Sequence, residues 1–298
     1  MGLYGNMKTN QSDKLLQWYD VAPDSYVTRL KKQLGVFTSY KDVVDFVPRS
    51  VWNINSRTKE IKELFEDDLE KHTCKRNGGY AVAIEQKFSV FNPHLGIEIL
   101  KIWSNIGDRV IDPFAGRDRA LITNFMDRRY TGFEISKKTF NQVEKKIKAW
   151  KHLNKKFECK MINGDGTELG GMEDESFDFC FSCPPYAFRE KYQSVPGQIS
   201  DMKYPDEWMN ALDRTATSVY KKLKHNTYCV FVIADIRHKK KVLPLHCDLI
   251  VQFLNRGFNL QDVIINQTNP MNCSGINGFL RNKIMWKTHE YIICFKKC

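Results

Sequence analysis

The stretch Arg109-Val110-Ile111-Asp112-Pro113-Phe114-Ala115-Gly116 decides the fold. Its first residues are a short apolar run of the kind that forms a buried strand, and Pro113 and Gly116 break that run with turn chemistry. Residues 118–125 follow with helical spacing. Strand, tight turn and helix in this order open an α/β unit.

The same alternation continues outward from this unit. Upstream, residues 94–105 place Leu95, Ile99, Leu100 and Trp103 at helical spacing. Downstream, residues 130–135 read as a strand, and Ser136 caps a helix that runs to about residue 150. Strands are expected at 157–162, 177–182 and 228–233, with helices at 205–223 and 244–255. Residues 260–267 and 289–295 read as two final strands. Such alternation predicts a mostly parallel sheet of seven strands with helices on both faces.

Ligands of open α/β sheets bind beyond the carboxyl ends of the strands, where the strand order reverses. The unusual sequences all fall at those ends: 112–118, Glu134, 163–166 and 183–186. Gly116 lets backbone approach a ligand closely. Glu134 follows Asp112 by about 20 residues, the place where dinucleotide folds bind ribose hydroxyls. Asp165 is placed to meet an adenine amino group, and Phe114 and Ile135 to supply apolar contact to the ring. The chain has no G-x-G-x-x-G and no G-x-x-x-x-G-K-[ST], which argues against a nicotinamide cofactor and against nucleoside triphosphate hydrolysis.

The 298 residues suffice for one large domain, or one domain with an appendage. Lys and Arg number 46 against 35 Asp and Glu, giving a net charge of +11 that favours a polyanion such as DNA or RNA. Nine cysteines at irregular spacing do not resemble a disulfide framework, and a reducing compartment suits them. Cys180 and Cys183 form a C-x-x-C, but His238 and Cys247 make no clean second pair, so no metal is expected. No apolar run is long enough for a membrane span and no signal-peptide core begins the chain, so a cytoplasmic protein is expected. Residues 1–87 are charged and weakly patterned, with short helices expected at 10–19 and 56–72 and a turn at Gly78-Gly79. They read as an N-terminal extension or small subdomain ahead of a catalytic domain over 88–298.

Asp112-Pro113-Phe114-Ala115-Gly116 followed by Cys183-Pro184-Pro185-Tyr186 resembles the paired motifs of DNA amino-methyltransferases. Those enzymes make N6-methyladenine or N4-methylcytosine, with motifs of roughly D-P-F-x-G and [D/N/S]-P-P-[Y/F/W]. The segment Ser89-Val90-Phe91-Asn92-Pro93-His94 is similar to the one that precedes their cofactor loop and closes over the methionine end of the cofactor, and residues 287–291 to the start of their last strand. The likeness extends over roughly 88–297 and is nearest to phage-type and prophage-type members with an S-C-P-P-Y turn.

The resemblance implies a Rossmann-like S-adenosylmethionine-dependent methyltransferase fold, seven-stranded and mostly parallel with an antiparallel last strand. It implies S-adenosyl-L-methionine as cofactor, with Asp112 and Gly116 near the methionine moiety, Glu134 on the ribose and Asp165 near the adenine. Pro113, Phe114, Ala115 and Ile135 complete that set. Gly116-Arg117-Asp118-Arg119 departs from the small residues usual there, and the two arginines are expected to point outward to phosphate.

A base amine is a poor nucleophile, because its lone pair is delocalised into the ring. Two acceptors on its N–H groups push the nitrogen toward tetrahedral geometry. A backbone carbonyl held by Pro184-Pro185 supplies one, and Tyr186 stacks on the extruded base. Cys183 stands where the family has Asp, Asn or Ser, and a thiol is a weak acceptor. The target is therefore open between adenine N6, slightly favoured, and cytosine N4. Cys183 as the nucleophile of C5-pyrimidine methylation is a lesser alternative, because that chemistry places Cys after the prolines.

Residues 188–204, with Arg189 and Tyr192, follow the catalytic turn and are expected to close over the base. Arg237, Lys239 and Lys240 belong to a basic run suited to phosphate. Arg281 and Lys283 sit in a long segment, 266–288, expected to take part in target recognition. Two other readings remain: a methyltransferase acting on RNA or tRNA bases, and a catalytically silent DNA-binding relative.

Overall fold

The computed structural model describes residues 50–54, 64–65, 91–150, 152–186, 196–238, 241–268, 283–285 and 287–298. The expected helix at 10–19 and the Gly78-Gly79 turn lie outside these residues, as does most of 56–72. The described residues fall in one unit, Ser50–Cys298. Val51–Trp52 and the core residues Leu64 and Phe65 belong to it, so its packing extends back beyond residue 88.

The elements run β1 (Val51–Trp52), α1 (Pro93–Trp103), β2 (Arg109–Asp112), α2 (Arg119–Phe125), β3 (Arg129–Glu134), α3 (Lys137–Ala149), β4 (Cys159–Asn163) and β5 (Phe177–Ser182). After them come α4 (Asp206–Lys222), β6 (Leu223–Ile233), β7 (Ile236–His238), β8 (Lys241–Leu243), α5 (Leu245–Asn255), β9 (Phe258–Gln267) and β10 (His289–Lys297). One sheet holds eight strands in the order β1-β9-β10-β6-β5-β2-β3-β4. From β4 to β6 neighbours run parallel, and β10 is antiparallel to both β6 and β9.

The seven expected strands are all in this sheet, and the antiparallel one is β10. The eighth, β1, pairs only Val51 with Ile265 and Trp52 with Asn266, too few residues to leave a periodic signal. The β7–β8 hairpin was also not expected; the sequence there reads only as a basic run.

Local chemistry accounts for the helix boundaries. Asn92 caps α1 by accepting the His94 amide, with Pro93 at the first helical position, where a missing N–H costs nothing. Ser136 caps α3 through the Thr139 amide. In α4, Trp208, Ala211, Leu212, Thr215, Ala216 and Val219 form the buried stripe that the 3.6-residue period demands. Cys180, Cys229 and Cys294 are fully buried in the central strands as small hydrophobes.

The chain runs from β2 outward through β3 to β4, then crosses back to lay β5 on the other side of β2. The switch point therefore lies between the carboxyl ends of β2 and β5. No helix among the described residues is long and apolar enough to cross a membrane.

Candidate active site

Asp112 ends β2 with its carboxylate fully buried. Ser182, at the end of the neighbouring β5, donates its hydroxyl to Oδ1 at 2.6 Å. From β3, on the other side, Tyr130 donates its hydroxyl to Oδ2 at 2.9 Å. The Phe114 amide closes the turn onto Oδ1 at 3.0 Å. Arg119 donates Nε to Oδ2 at 2.7 Å, and its Nη2 reaches the Phe114 carbonyl. The Tyr130 ring arrives because Gly132 has no side chain: a Cβ there would stand 2.5 Å from it. Asp112 is thus a knot tying three strands and the following turn. It does not line the cleft, contrary to its expected place beside a ligand.

Arg119 also departs from expectation. Its side chain is only 5% exposed and turns inward onto Asp112, with the guanidinium over the Phe91 ring at 5.3 Å. A buried carboxylate among strand ends draws in the nearest cation, and a charge alone in that interior costs several kcal/mol, of order 3–5. Burial tends to lower the Arg119 pKa, but Asp112 and Cys183 overcome that and hold the group charged.

The cleft opens at the switch point and encloses about 970 Å³, open to solvent. One wall is Phe91, Pro113, Phe114, Gly116, Arg117 and Arg119; another is Phe133, Glu134, Ile135 and Asp165; a third is the turn Cys183-Pro184-Pro185-Tyr186. Two backbone approaches shape it. A Cβ on Gly166 would fall 1.7 Å from the Pro113 carbonyl oxygen, so these loops meet backbone to backbone. Gly197, at φ +89°, brings residues 197–199 across toward Ile135 and Asp165.

Glu134 accepts the Ser136 amide at 2.8 Å, and its carboxyl is pushed up to about 7 by burial, against the pull of that amide and of the Arg119 charge. Asp165 accepts the Thr167 amide at 2.8 Å. The cleft thus carries two carboxyls, Glu134 and Asp165, several apolar side chains, and a guanidinium, with Glu134 and Arg119 both neighbouring the Gly116 turn.

Of the expected residues, Phe91, Pro113, Phe114, Gly116, Glu134, Ile135, Asp165 and all four of the catalytic turn come together here. Asn92 and Pro93 build the α1 cap, and Asn92 also donates to the Ile54 carbonyl, at 2.8 Å. Ala115 is buried, donating its amide to Phe133. Arg237 lies on β7, and Lys283 is exposed at φ +53°. Arg189, Tyr192, Lys239, Lys240 and Arg281 lie outside the described residues. Phe133, Thr139 and Thr167 were not foreseen from the sequence; Gly166 belongs to the 163–166 turn and 197–199 to the 188–204 segment expected over the base.

Asp235, unassigned from sequence, follows β6. It accepts from the His246 ring at 2.6 Å and pairs with Lys287 at 3.5 Å, while His246 stacks on Tyr291 at 3.9 Å.

Strand order, switch-point cleft and turn together define a class: a Rossmann-like α/β fold of the methyltransferase type. More particularly, residues 177–298 match the N6_N4_Mtase family model, described as DNA methylase. Among solved structures, a candidate DNA modification methylase from Thermus thermophilus is 24% identical, covering 45% of this chain and 50% of its own, with TM-score 0.35. This chain thus spans about half that protein's length. A Methanosarcina mazei S-adenosylmethionine-dependent methyltransferase is 13% identical, covering 67% and 96%, with TM-score 0.45. TrmN from Thermus thermophilus is 13% identical over 69% and 49%, with TM-score 0.46. No curated protein matches.

Proposed function

We propose that the protein is an S-adenosylmethionine-dependent DNA methyltransferase acting on an exocyclic base amine, with adenine N6 ahead of cytosine N4. The observation that carries this reading is the meeting, in one cleft, of the Cys183-Pro184-Pro185-Tyr186 turn with Gly116, Glu134, Ile135 and Asp165. The family match over 177–298 includes the turn and supports DNA as the substrate.

The residues present fit the cofactor. Glu134 stands at the end of β3, where a carboxylate accepts ribose hydroxyls. Asp165 has one oxygen on Thr167 and the other toward Gly197, suited to an adenine amine. Ile135, Phe133 and Ile199 offer the ring an apolar bed. When bound, S-adenosylmethionine supplies a methyl group made electrophilic by its sulfonium.

The chain's own work is positioning. Pro184 and Pro185 fix the turn so that a backbone carbonyl accepts one N–H of the base amine, and Tyr186 stacks on the base. Ser182 is not the second acceptor: it is fully buried away from the cleft lining, and its oxygen already accepts the Phe114 amide at 3.3 Å while its hydroxyl donates to Asp112. Cys183 remains at the cleft wall in the position where the resemblance calls for an acceptor.

Methyl transfer from isotopically labelled S-adenosylmethionine to mixed DNA and to total RNA, followed by nucleoside analysis, tests this reading. Label in N6-methyladenine or N4-methylcytosine from DNA is expected. Label confined to RNA replaces the substrate class, and no label with no cofactor binding overturns the enzyme. Tyr186→Ala is expected to keep cofactor affinity and lose transfer.

A further inference from the structure

Arg119 is enclosed, with Nε and Nη2 engaged and Nη1 not. Nε and Nη2 meet Asp112 at 2.7 and 3.4 Å, and Nη2 also meets the Phe114 carbonyl. Nη1 donates to no described residue. It lies 3.9 Å from where a Cβ on Gly116 would stand, on the cleft wall. Asp112 does not depend on Arg119 alone, since Ser182, Tyr130 and the Phe114 amide all donate to it. The result is a fixed cation with a donor edge turned to an open cleft. Nη1 keeps its N–H donors for an anionic oxygen, and a charge-assisted hydrogen bond of this kind is short and strong.

We propose that Arg119 anchors the α-carboxylate of the S-adenosylmethionine amino-acid end, and so sets cofactor affinity. This rests on the cofactor reading above. Gly116 opens the approach: its φ of +58° and missing side chain leave the space above Nη1 clear. Glu134 accepts the Gly116 amide within the field of the Arg119 charge, and Asp165 faces Thr167 and Gly197, so the carboxyls suited to the nucleoside line the same cleft as the guanidinium. Phe91 braces the guanidinium from its face.

The competing role for Arg119 is purely structural, clamping the turn to Asp112. Calorimetric titration of the full chain with S-adenosylmethionine and with its decarboxylated form separates the two. The wild type should prefer the carboxylate-bearing ligand by roughly ten- to a hundredfold. Arg119→Met should abolish that preference by weakening S-adenosylmethionine alone, with affinity for the decarboxylated form within about twofold. Arg119→Lys, which keeps the charge but cannot hold Asp112 and present a donor to the cleft at once, should retain part of the preference. Equal weakening of both ligands, or an unchanged preference, overturns the anchor and leaves the cofactor reading standing. A folded wild type that binds neither ligand overturns both. If Arg119→Met does not fold, Arg119→Lys decides: a reduced preference supports the anchor, and equal losses overturn it.

Discussion

Asp112 accepts from two hydroxyls, an amide and a guanidinium inside the sheet, and this alters what its loss should do. Asp112→Ala leaves the Arg119 charge buried without its partner, and we expect destabilisation of about 3–5 kcal/mol. A urea midpoint little changed from wild type would remove the knot from the account. Glu134 gives a prediction of opposite sign. Its carboxyl titrates at about 7, against an ordinary 4.5, mainly because burial penalises the charge. The folded state thus holds the proton more tightly than the unfolded chain, and stability falls as pH rises from about 4.5 to about 7. Glu134→Gln removes that loss. It should raise the melting temperature at pH 8, leave it near wild type at pH 4, and weaken cofactor binding. Equal effects at both pH values would show that the buried charge carries no penalty. At this scale the sequence named the residues better than their roles. Strand alternation tells which face Asp112 takes, but not that Tyr130 reaches it across the bare Cα of Gly132.

Elements with a strong period were legible; short or solvated ones were not. Helices α3 and α4 were readable because their apolar stripes repeat over several turns, with the Ser136 cap marking the start of α3. The first half of β6 was not, because Lys224, His225 and Asn226 are exposed and show no apolar alternation. The same holds for β7 and β8, three residues each. The cleft was legible as a set of strand ends, because the switch point follows from strand order. Its far side was legible only as the 188–204 segment expected over the base, and nothing in 197–199 announces that Gly197 crosses to Ile135. The meeting of the loops at Pro113 and Gly166 likewise depends on tertiary approach. Gly166→Ala must separate them, since the new Cβ cannot occupy a position 1.7 Å from a carbonyl oxygen. Overpacking of this kind costs about 1–3 kcal/mol. We expect it to reduce cofactor affinity at least tenfold, as the Asp165 wall moves away from the Gly116 turn, a change of roughly 1.4 kcal/mol or more. Wild-type affinity in that variant would show that the ligand does not bridge the two loops.

The whole molecule carries a net charge of +11, and the question is where that surplus meets a polyanion. The β7–β8 hairpin leaves the sheet directly after β6, pairing Arg237 with Val242 and His238 with Lys241. It therefore rises from the carboxyl edge of the strands, the same edge that bears the cleft, with Arg237 and Lys241 exposed. A duplex whose target base enters the cleft must run its backbone across this edge, within reach of the hairpin. Each phosphate neutralised by Lys or Arg releases counterions, so the logarithm of the DNA binding constant should fall linearly with that of salt concentration. Replacing both Arg237 and Lys241 with Ala should lower that slope by about two, roughly one for each phosphate left unneutralised, and weaken all duplex sequences alike. Cofactor affinity should not change, because neither residue lines the cleft. Binding isotherms from about 50 to about 200 mM salt supply both slopes. An unchanged slope would take the hairpin off the phosphates and place the polyanion elsewhere on this basic surface. A slope reduced for one sequence alone would instead make the hairpin a reader of base edges.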